Sequence, residues 1–190
     1  MRAPPLVLLD ANILYSRLLR ELFMELHLRG LIHARWTDDI HDEWIRSVLS
    51  DYPDINPTVL KKTRELMNLH AEGSLVTDYQ DYIQKLLLPD PNDRHILAAA
   101  ISGEIPTILT FNINDFPATS LSEFDIEAKH PDVLLFQLFE AHPHDTIKIL
   151  KYVRNRMKNP LLDQKEFTSR LSKAGLTSFA DRLLEFVDQL

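Results

Sequence analysis

The stretch Pro5-Leu6-Val7-Leu8-Leu9-Asp10 decides the fold class. A short apolar run that ends in an acid is typical of a buried parallel strand with a carboxylate at its C-terminal tip. In open α/β sheets, ligands bind in the crevice outside those tips. The residues 106–110 repeat the design, because an apolar run there also ends in polar residues. Asp10 is therefore predicted to lie where such folds carry out chemistry.

Strand-like and helix-like patterns alternate over residues 1–130. Further strands are predicted at 32–36 and 106–110, with a short edge strand at 124–128 and a possible one at 75–76. Helices are expected from Asn12 to Gly30, from Thr37 or Asp38 to Tyr52, and from Asn56-Pro57 to His70. Residues 82–87 suggest a short helix or extended piece, and Asp90-Pro91 opens a helix through Ile101. This alternation predicts a three-layer α/β fold with a mainly parallel central sheet flanked by helices.

The pattern becomes entirely helical after His130-Pro131. Four helices are expected, at about 132–141, 144–158, 163–173 and 177–189. Asp163 and Ser178 are candidate N-caps, and Gly175 is a candidate C-cap. The chain is therefore predicted to contain a domain at 1–130 and an all-helical C-terminal extension at 131–190.

Composition excludes several classes of function. The 190 residues include no cysteine, so neither a disulfide framework nor a thiolate metal site is possible. Only four glycines occur, far apart, so no glycine-rich phosphate-binding loop is expected. We expect no signal peptide and no membrane-spanning segment, and the composition is compatible with a cytoplasmic protein. The net charge of −7 argues against binding nucleic acid mainly through global charge, but a cluster of metal-binding acids would itself contribute negative charge.

Four segments place an acid or an amide at the edge of an apolar element. They are residues 8–12 (LLDAN), 38–44 (DDIHDEW), 90–100 (DPNDRHILAAA) and 109–117 (LTFNINDFP). Mg²⁺ and Mn²⁺ prefer oxygen ligands, and Mg²⁺ usually takes one or two carboxylates directly, with waters and substrate phosphate completing its shell. The four segments therefore suit a site for such an ion.

The order and spacing of these segments resemble the PIN-domain family, in particular the bacterial VapC-type toxin ribonucleases. The resemblance rests on Asp10, Glu43, Asp93, Asn112 and Asp115, and it covers roughly the first 130 residues. The long helical extension departs from the minimal toxin-type domain, so its role is not implied by the family.

The resemblance implies a metal-dependent endoribonuclease and the toxin half of a toxin–antitoxin pair. Asp10, Glu43, Asp93 and Asp115 would hold one or two Mg²⁺ or Mn²⁺ ions, and a metal-activated water would cut RNA to leave a 5′ phosphate and a 3′ hydroxyl. A protein antitoxin would occupy the active-site groove, and the chain would form a homodimer. We expect the Asp10 carboxylate to lie within shared-metal reach of the other three.

Each candidate also has a purely structural interpretation. Asp10 could be a loop or cap residue, and acids near Glu43 are favoured by the helix dipole. Asp90 and Asp93 resemble a capping box, so we assign Asp90 to the cap and Asp93 to the metal. Asn112 and Asp115 could simply shape a turn, and Asn12 could cap the first helix. Thr110 could orient a carboxylate or a water. Asp39 and Asp42 are expected to be solvated.

Basic residues offer possible RNA contacts. Arg94 follows Asp93 and could bind a phosphate or a neighbouring acid. The run that includes Lys148, Lys151 and Arg154 could bind RNA phosphates, although a solvated helix face is the default for such a run. A lone histidine such as His95 is more often packed or exposed than a ligand.

Two other functions compete with the nuclease. A non-catalytic PIN scaffold could bind RNA or a protein, although it would have no reason to keep clustered like charges. A phosphatase of the haloacid dehalogenase kind also places an Asp after its first strand, but it needs a second Asp where this chain has Asn12.

Overall fold

The computed structural model describes residues 3–158 and 160–190, and its centre is a four-stranded sheet. The strands are β1 (Leu6–Leu9), β2 (His33–Arg35), β3 (Thr107–Leu109) and β4 (Glu127–Lys129). Their spatial order is β2-β1-β3-β4, and every pairing is parallel. Leu8 of β1 pairs with Arg35 on one side and Ile108 on the other. The parallel sheet predicted from the sequence is confirmed.

Eleven α-helices lie within the described residues. Those up to residue 130 are α1 (Ala11–Tyr15), α2 (Arg17–Leu28), α3 (Asp38–Asp51), α4 (Pro57–His70), α5 (Gln80–Ile83), α6 (Arg94–Ser102) and α7 (Ala118–Leu121). The C-terminal helices are α8 (Pro131–Ala141), α9 (Pro143–Arg156), α10 (Gln164–Lys173) and α11 (Thr177–Leu183). Short 3₁₀ turns occupy Pro91–Asp93, Ile113–Asp115, Ser122–Phe124 and Leu184–Gln189. No helix in the described parts of the chain is long and apolar enough to cross a bilayer.

Helices cover both faces of the sheet. Val7, Leu8 and Leu9 are consecutive in β1 and fully buried. Since consecutive strand residues point to opposite faces, neither face of β1 is open to solvent. Helix α6 packs against β1 and β3, α2 against β2, and α7 against β4. The three-layer arrangement is therefore the predicted one.

Several predicted helix boundaries are fixed by local caps. The Thr37 hydroxyl accepts a hydrogen bond from the backbone N–H of Ile40 at 3.1 Å. Asn56 caps α4, with Pro57 in its first turn, and Asp163 caps α10 by accepting from the N–H of Glu166 at 2.7 Å. Such caps satisfy N–H groups that have no partner inside the helix, so they mark a helix start in the sequence.

The prediction for the first helix was wrong in two respects. Asn12 is not its N-cap, because α1 begins at Ala11 and Asp10 occupies the cap position. The helix also does not continue unbroken to residue 30. Ser16 is extended, with ψ 120°, and its hydroxyl starts α2 by accepting from the N–H of Leu19. The Asn12 side chain is therefore free to bind elsewhere.

Other boundaries shifted. The helix expected from Asp90 begins as a 3₁₀ turn and becomes α-helical at Arg94. Leu75 forms only a single bridge to Trp36. The short helix or extended piece suggested at 82–87 overlaps α5 only at residues 82 and 83, because α5 begins at Gln80 and ends at Ile83. Helix α9 ends at Arg156, before the predicted 158, and the last predicted helix divides into α11 and a 3₁₀ turn.

Ser178 was wrongly predicted as the cap of the last helix. The buried carboxylate of Asp132, in the first turn of α8, accepts from the backbone N–H groups of Ser178 at 3.0 Å and Phe179 at 2.8 Å. A side chain 46 positions earlier in the chain therefore caps α11. The C-terminal helices pack as a group, with α8 against α9 and α11, and α9 against α2.

Candidate active site

Asp10 lies at the C-terminal end of β1, as the first strand predicts. Its backbone N–H donates to the carbonyl of Leu109 at 3.1 Å, which joins it to β3. Its side chain is buried, and the whole residue is only 5% exposed. Because β1 and β3 are parallel neighbours, the two strand ends bring residues 10–12 next to residues 110–112.

Thr110 and Asn12 hold the Asp10 carboxylate. Oδ2 of Asp10 accepts from the Thr110 hydroxyl at 2.6 Å and from the Asn12 amide at 2.6 Å. The Thr110 oxygen in turn accepts from the Asn12 amide at 3.0 Å and from the backbone N–H of Asn112 at 2.9 Å. A hydroxyl has one donor and two acceptor positions, so that of Thr110 is fully used. The carboxylate therefore has a fixed orientation.

Burial dominates the acidity of Asp10. Its pKa is raised from 3.8 to about 6, because the removal of water and, to a smaller extent, the negative charge of Glu43 outweigh the Thr110 hydrogen bond, which lowers it. A carboxyl group that loses water and faces a second acid is a frequent feature of functional sites.

Three further acids act on the same centre. Glu43 comes from α3, Asp93 from the turn before α6, and Asp115 from the turn Ile113–Asp115. Burial and, to a smaller extent, the charges of Asp10, Asp90, Asp115 and Glu43 together raise the pKa of Asp93 to about 6. The four candidate ligands therefore come from four different elements and repel one another at one end of the sheet.

The stricter expectation of a shared metal position is not met by the geometry. Within residues 3–158 and 160–190, no group of three or more His, Asp or Glu side chains is close enough to hold one ion together. The donor set nevertheless suits Mg²⁺ or Mn²⁺, because its ligands are carboxylate oxygens and Mg²⁺ commonly binds only one or two of them directly. The negative electrostatic potential that makes these acids repel one another also attracts a cation.

Asp90 and Asn112 occupy the border of the site. The Asp90 carboxylate accepts from the N–H of Asn92 at 2.8 Å, so it forms the predicted cap. The side chain of Asp93 forms no cap bond. Asn112 is exposed, whereas Asp115 is half-buried and acts on Asp93 through its charge. Of the two residues, Asp115 is therefore the one that affects the site, because its negative charge raises the pKa of Asp93.

His95 is a site residue that the sequence interpretation underrated. Its Nε2 lies 3.4 Å from Oε2 of Glu43, and its charge, when present, lowers the pKa of Asp10. The signal in the sequence was its place at the start of α6, two residues after Asp93. Its neighbour Arg94 is half-buried, and its Nε is buried and finds no hydrogen-bond partner among the described residues.

The acids around Glu43 are not simply solvated. Arg64 of α4 binds the carboxylates of Asp38 and Asp42, each at 2.6 Å. The Tyr79 hydroxyl donates to Asp39 at 2.7 Å. Asp39 and Asp42 are exposed to solvent, as expected, and they also join α3 to its neighbours. Glu43 is the acid of this segment whose charge acts on Asp10 and Asp93.

The basic run lies on α9, which packs against α2. Lys148 and Lys151 are exposed, and the Lys148 amine lies 3.7 Å from Asp145. Arg154 donates to Asn155 at 3.2 Å. Arg156, by contrast, binds Glu21 of α2 at 2.8 Å. Arg156, which belongs to the same basic run, therefore joins α9 to α2 by an ion pair, while both lysines are exposed to solvent.

Comparison with known proteins agrees with this architecture. A family model described as "PIN domain" matches residues 6–114, which is more than half of the chain. The chain therefore belongs to the PIN domain family. A second model, described as "VapC50 C-terminal domain", matches residues 131–185. The resemblance to VapC-type proteins with a C-terminal extension is confirmed.

A curated relative is similar over part of its length. It is a Mycobacterium tuberculosis (strain ATCC 25618 / H37Rv) protein named "Putative ribonuclease VapC50", 34% identical over 58 residues. The alignment covers 30% of this chain and 34% of the relative, so the two proteins match over about a third of their lengths. No solved structure gives a significant match.

Proposed function

We propose that this protein is a metal-dependent endoribonuclease and the toxin of a toxin–antitoxin pair. The observation that carries the proposal is the set of four acids from separate elements at the edge of a PIN-domain sheet, where Asp10 is buried and the negative charges of the other three raise the pKa of Asp93. The partial similarity to a protein named as a ribonuclease supports the same activity.

Asp10, Glu43, Asp93 and Asp115 would hold Mg²⁺ or Mn²⁺, with one or two of the carboxylates binding an ion directly and the others through its waters. When bound, such an ion lowers the pKa of a water for attack on phosphorus and stabilises charge on the departing oxygen. Thr110 and Asn12 fix the Asp10 carboxylate, so this ligand needs little reorganisation. His95 holds Glu43 from α6, which connects the ligand on α3 to the helix that follows Asp93.

The substrate in this proposal is RNA. Arg94 follows Asp93 in the chain, and its guanidinium group suits a phosphate near the acids. Lys148, Lys151 and Arg154 would bind phosphates farther along the strand, since local positive charge is needed on a protein of net charge −7. A cytoplasmic homodimer that a protein antitoxin inhibits completes the proposal by analogy with VapC-type toxins.

The decisive experiment measures cleavage of labelled RNA with Mn²⁺ or Mg²⁺. Asp10→Asn and Asp93→Asn should each abolish cleavage while far-UV circular dichroism stays unchanged. Asp54→Asn is the matched control, because it makes the same chemical change at an exposed position away from the site. The products should carry 5′ phosphate and 3′ hydroxyl ends.

Two outcomes would overturn the proposal. Metal-dependent cleavage that survives both substitutions would place the chemistry elsewhere. A wild-type protein that binds RNA but neither binds Mn²⁺ in calorimetry nor cleaves would instead be a non-catalytic scaffold.

A further inference from the structure

Phe111 connects the candidate active site to the C-terminal helices. It stands between Thr110, which binds Asp10, and Asn112, in the loop that leads to Asp115. Its backbone N–H donates to the side chain of Asn12 at 3.4 Å. The position of Phe111 is therefore tied to the position of residues 110–115, which we call the acidic loop.

The Phe111 ring is held by residues from outside the PIN-matched range. The ring of His130 meets it edge-on, with centroids 5.0 Å apart and planes at 86°. On the other side, the turn between α10 and α11 approaches so closely that a Cβ on Gly175 would lie 2.7 Å from Cε1 of Phe111. Only glycine leaves room for the ring there, and Gly175 also has a positive φ of 91°.

His130 and the turn at Gly175 lie on two sides of the Phe111 ring and form what we call the Phe111 socket. These two sides are joined to each other. Nδ1 of His130 accepts from the backbone N–H of Asp132 at 3.2 Å. The carboxylate of Asp132 then binds the N–H groups of Ser178 and Phe179, just after the Gly175 turn. Residues 130–132 and 175–179 therefore form one frame around the ring.

We propose that the C-terminal extension positions the acidic loop through the Phe111 socket. In this view Phe111 and Gly175 are positioning residues, and the extension is a part of the nuclease site. The inference rests on the proposed function for its effect on catalysis. Its structural part, the restraint of the loop, stands independently of any RNA cleavage.

Amide hydrogen exchange measured by NMR on the full chain tests the restraint directly. In Gly175→Ala, the added methyl displaces Phe111, so the N–H groups of Phe111 and Asn112 should exchange at least ~10-fold faster. The N–H of Asp10, which pairs with β3, should change no more than in the control. The control is Gly73→Ala, because Gly73 has a similar φ of 78° and open space around its missing Cβ.

Activity gives the second measurement. In Gly175→Ala, kcat should fall roughly 10-fold or more with KM nearly unchanged, because displacement of a ligand loop by about 1 Å is enough to slow chemistry. Combining it with Phe111→Ala should remove the clash, so that the kcat of the double variant matches that of Phe111→Ala alone, while the positive φ of residue 175 still lowers its stability. If Gly175→Ala does not fold, Phe111→Ala alone should show the faster exchange at Asn112.

Equal effects of Gly175→Ala and Gly73→Ala, or a uniform acceleration of all amides, would overturn the inference. In either case the extension would contribute only general stability. A wild-type protein that fails to cleave RNA would overturn the proposed function and leave the exchange result to decide on the socket.

Discussion

Asp10→Asn should stabilise the protein at neutral pH although it removes the central charge of the candidate site. Burial and the nearby Glu43 raise the pKa of Asp10 from 3.8 to about 6. The folded protein therefore binds this proton more tightly than the unfolded chain does. The stability that the protonated group contributes is complete below about pH 3.8 and is lost as the pH rises through about 6.

The magnitude follows from the size of this change. One pKa unit corresponds to about 1.4 kcal/mol, so ionised Asp10 costs the folded state about 3 kcal/mol at neutral pH. Asn removes that cost and keeps an oxygen for Thr110, but it gives up a charge-assisted hydrogen bond. The free energy of unfolding should therefore rise by roughly 1 to 3 kcal/mol.

Urea unfolding followed by circular dichroism in EDTA provides the measurement. Asp10→Asn should exceed the wild type at about pH 7.5, and the advantage should vanish at about pH 4, where Asp10 is protonated in the folded state. Asp54→Asn, at an exposed position, should show little difference at either pH. An Asp10→Asn variant that is less stable than the wild type at about pH 7.5 would refute the claim that the buried, ionised carboxylate of Asp10 destabilises the folded state.

Three other changes test separate parts of the structure. Thr110→Val removes all three hydrogen bonds of the hydroxyl and should lower the free energy of unfolding by about 1 to 3 kcal/mol; Thr110→Ser should largely retain it, and an equal loss in both variants would contradict the hydrogen-bond account. Asp132→Ala leaves the backbone N–H groups of Ser178 and of the buried Phe179 without their acceptor and should cost about 1 to 3 kcal/mol in urea unfolding, with Asp132→Asn intermediate; a change of under about 0.5 kcal/mol would show that the cap is dispensable. Burial lowers the pKa of His41 from 6.5 to about 4, so the stability that its neutral form contributes is present above about pH 6.5 and lost as the pH falls toward 4. His41→Gln should therefore lose less stability than the wild type between about pH 7 and pH 5, by about 2 kcal/mol, and parallel pH profiles would contradict this.

The sequence predicted the features that depend on neighbouring residues. The β1 run, its terminal Asp10 and the caps at Thr37, Asn56 and Asp163 all rest on side chains within a few positions of the backbone they affect. Such short-range patterns are visible in a single sequence.

The features that it did not predict depend on residues far apart in the chain. Asp132, not Ser178, caps α11, because a carboxylate from another helix reaches its N-terminus. The Asn12 side chain does not cap a helix, because its amide donates to Asp10 and Thr110. Asp39 accepts a hydrogen bond from Tyr79, which lies 40 positions later and reaches it only after α3 has packed. The packing of Phe111 against Gly175 is likewise visible only once the extension is in place.

The order of the strands has a consequence for protein synthesis. β1 is made first, yet it pairs with β3, and Asp10 meets Thr110 from 100 positions later in the chain. On the ribosome, the nascent chain therefore carries Asp10 and Glu43 long before it can assemble them with Asp93 and Asp115. Closing so long a loop is slow and depends on the later strands. The acidic centre is consequently among the last parts of the PIN domain to form, and a prematurely terminated chain that lacks β3 has no such centre.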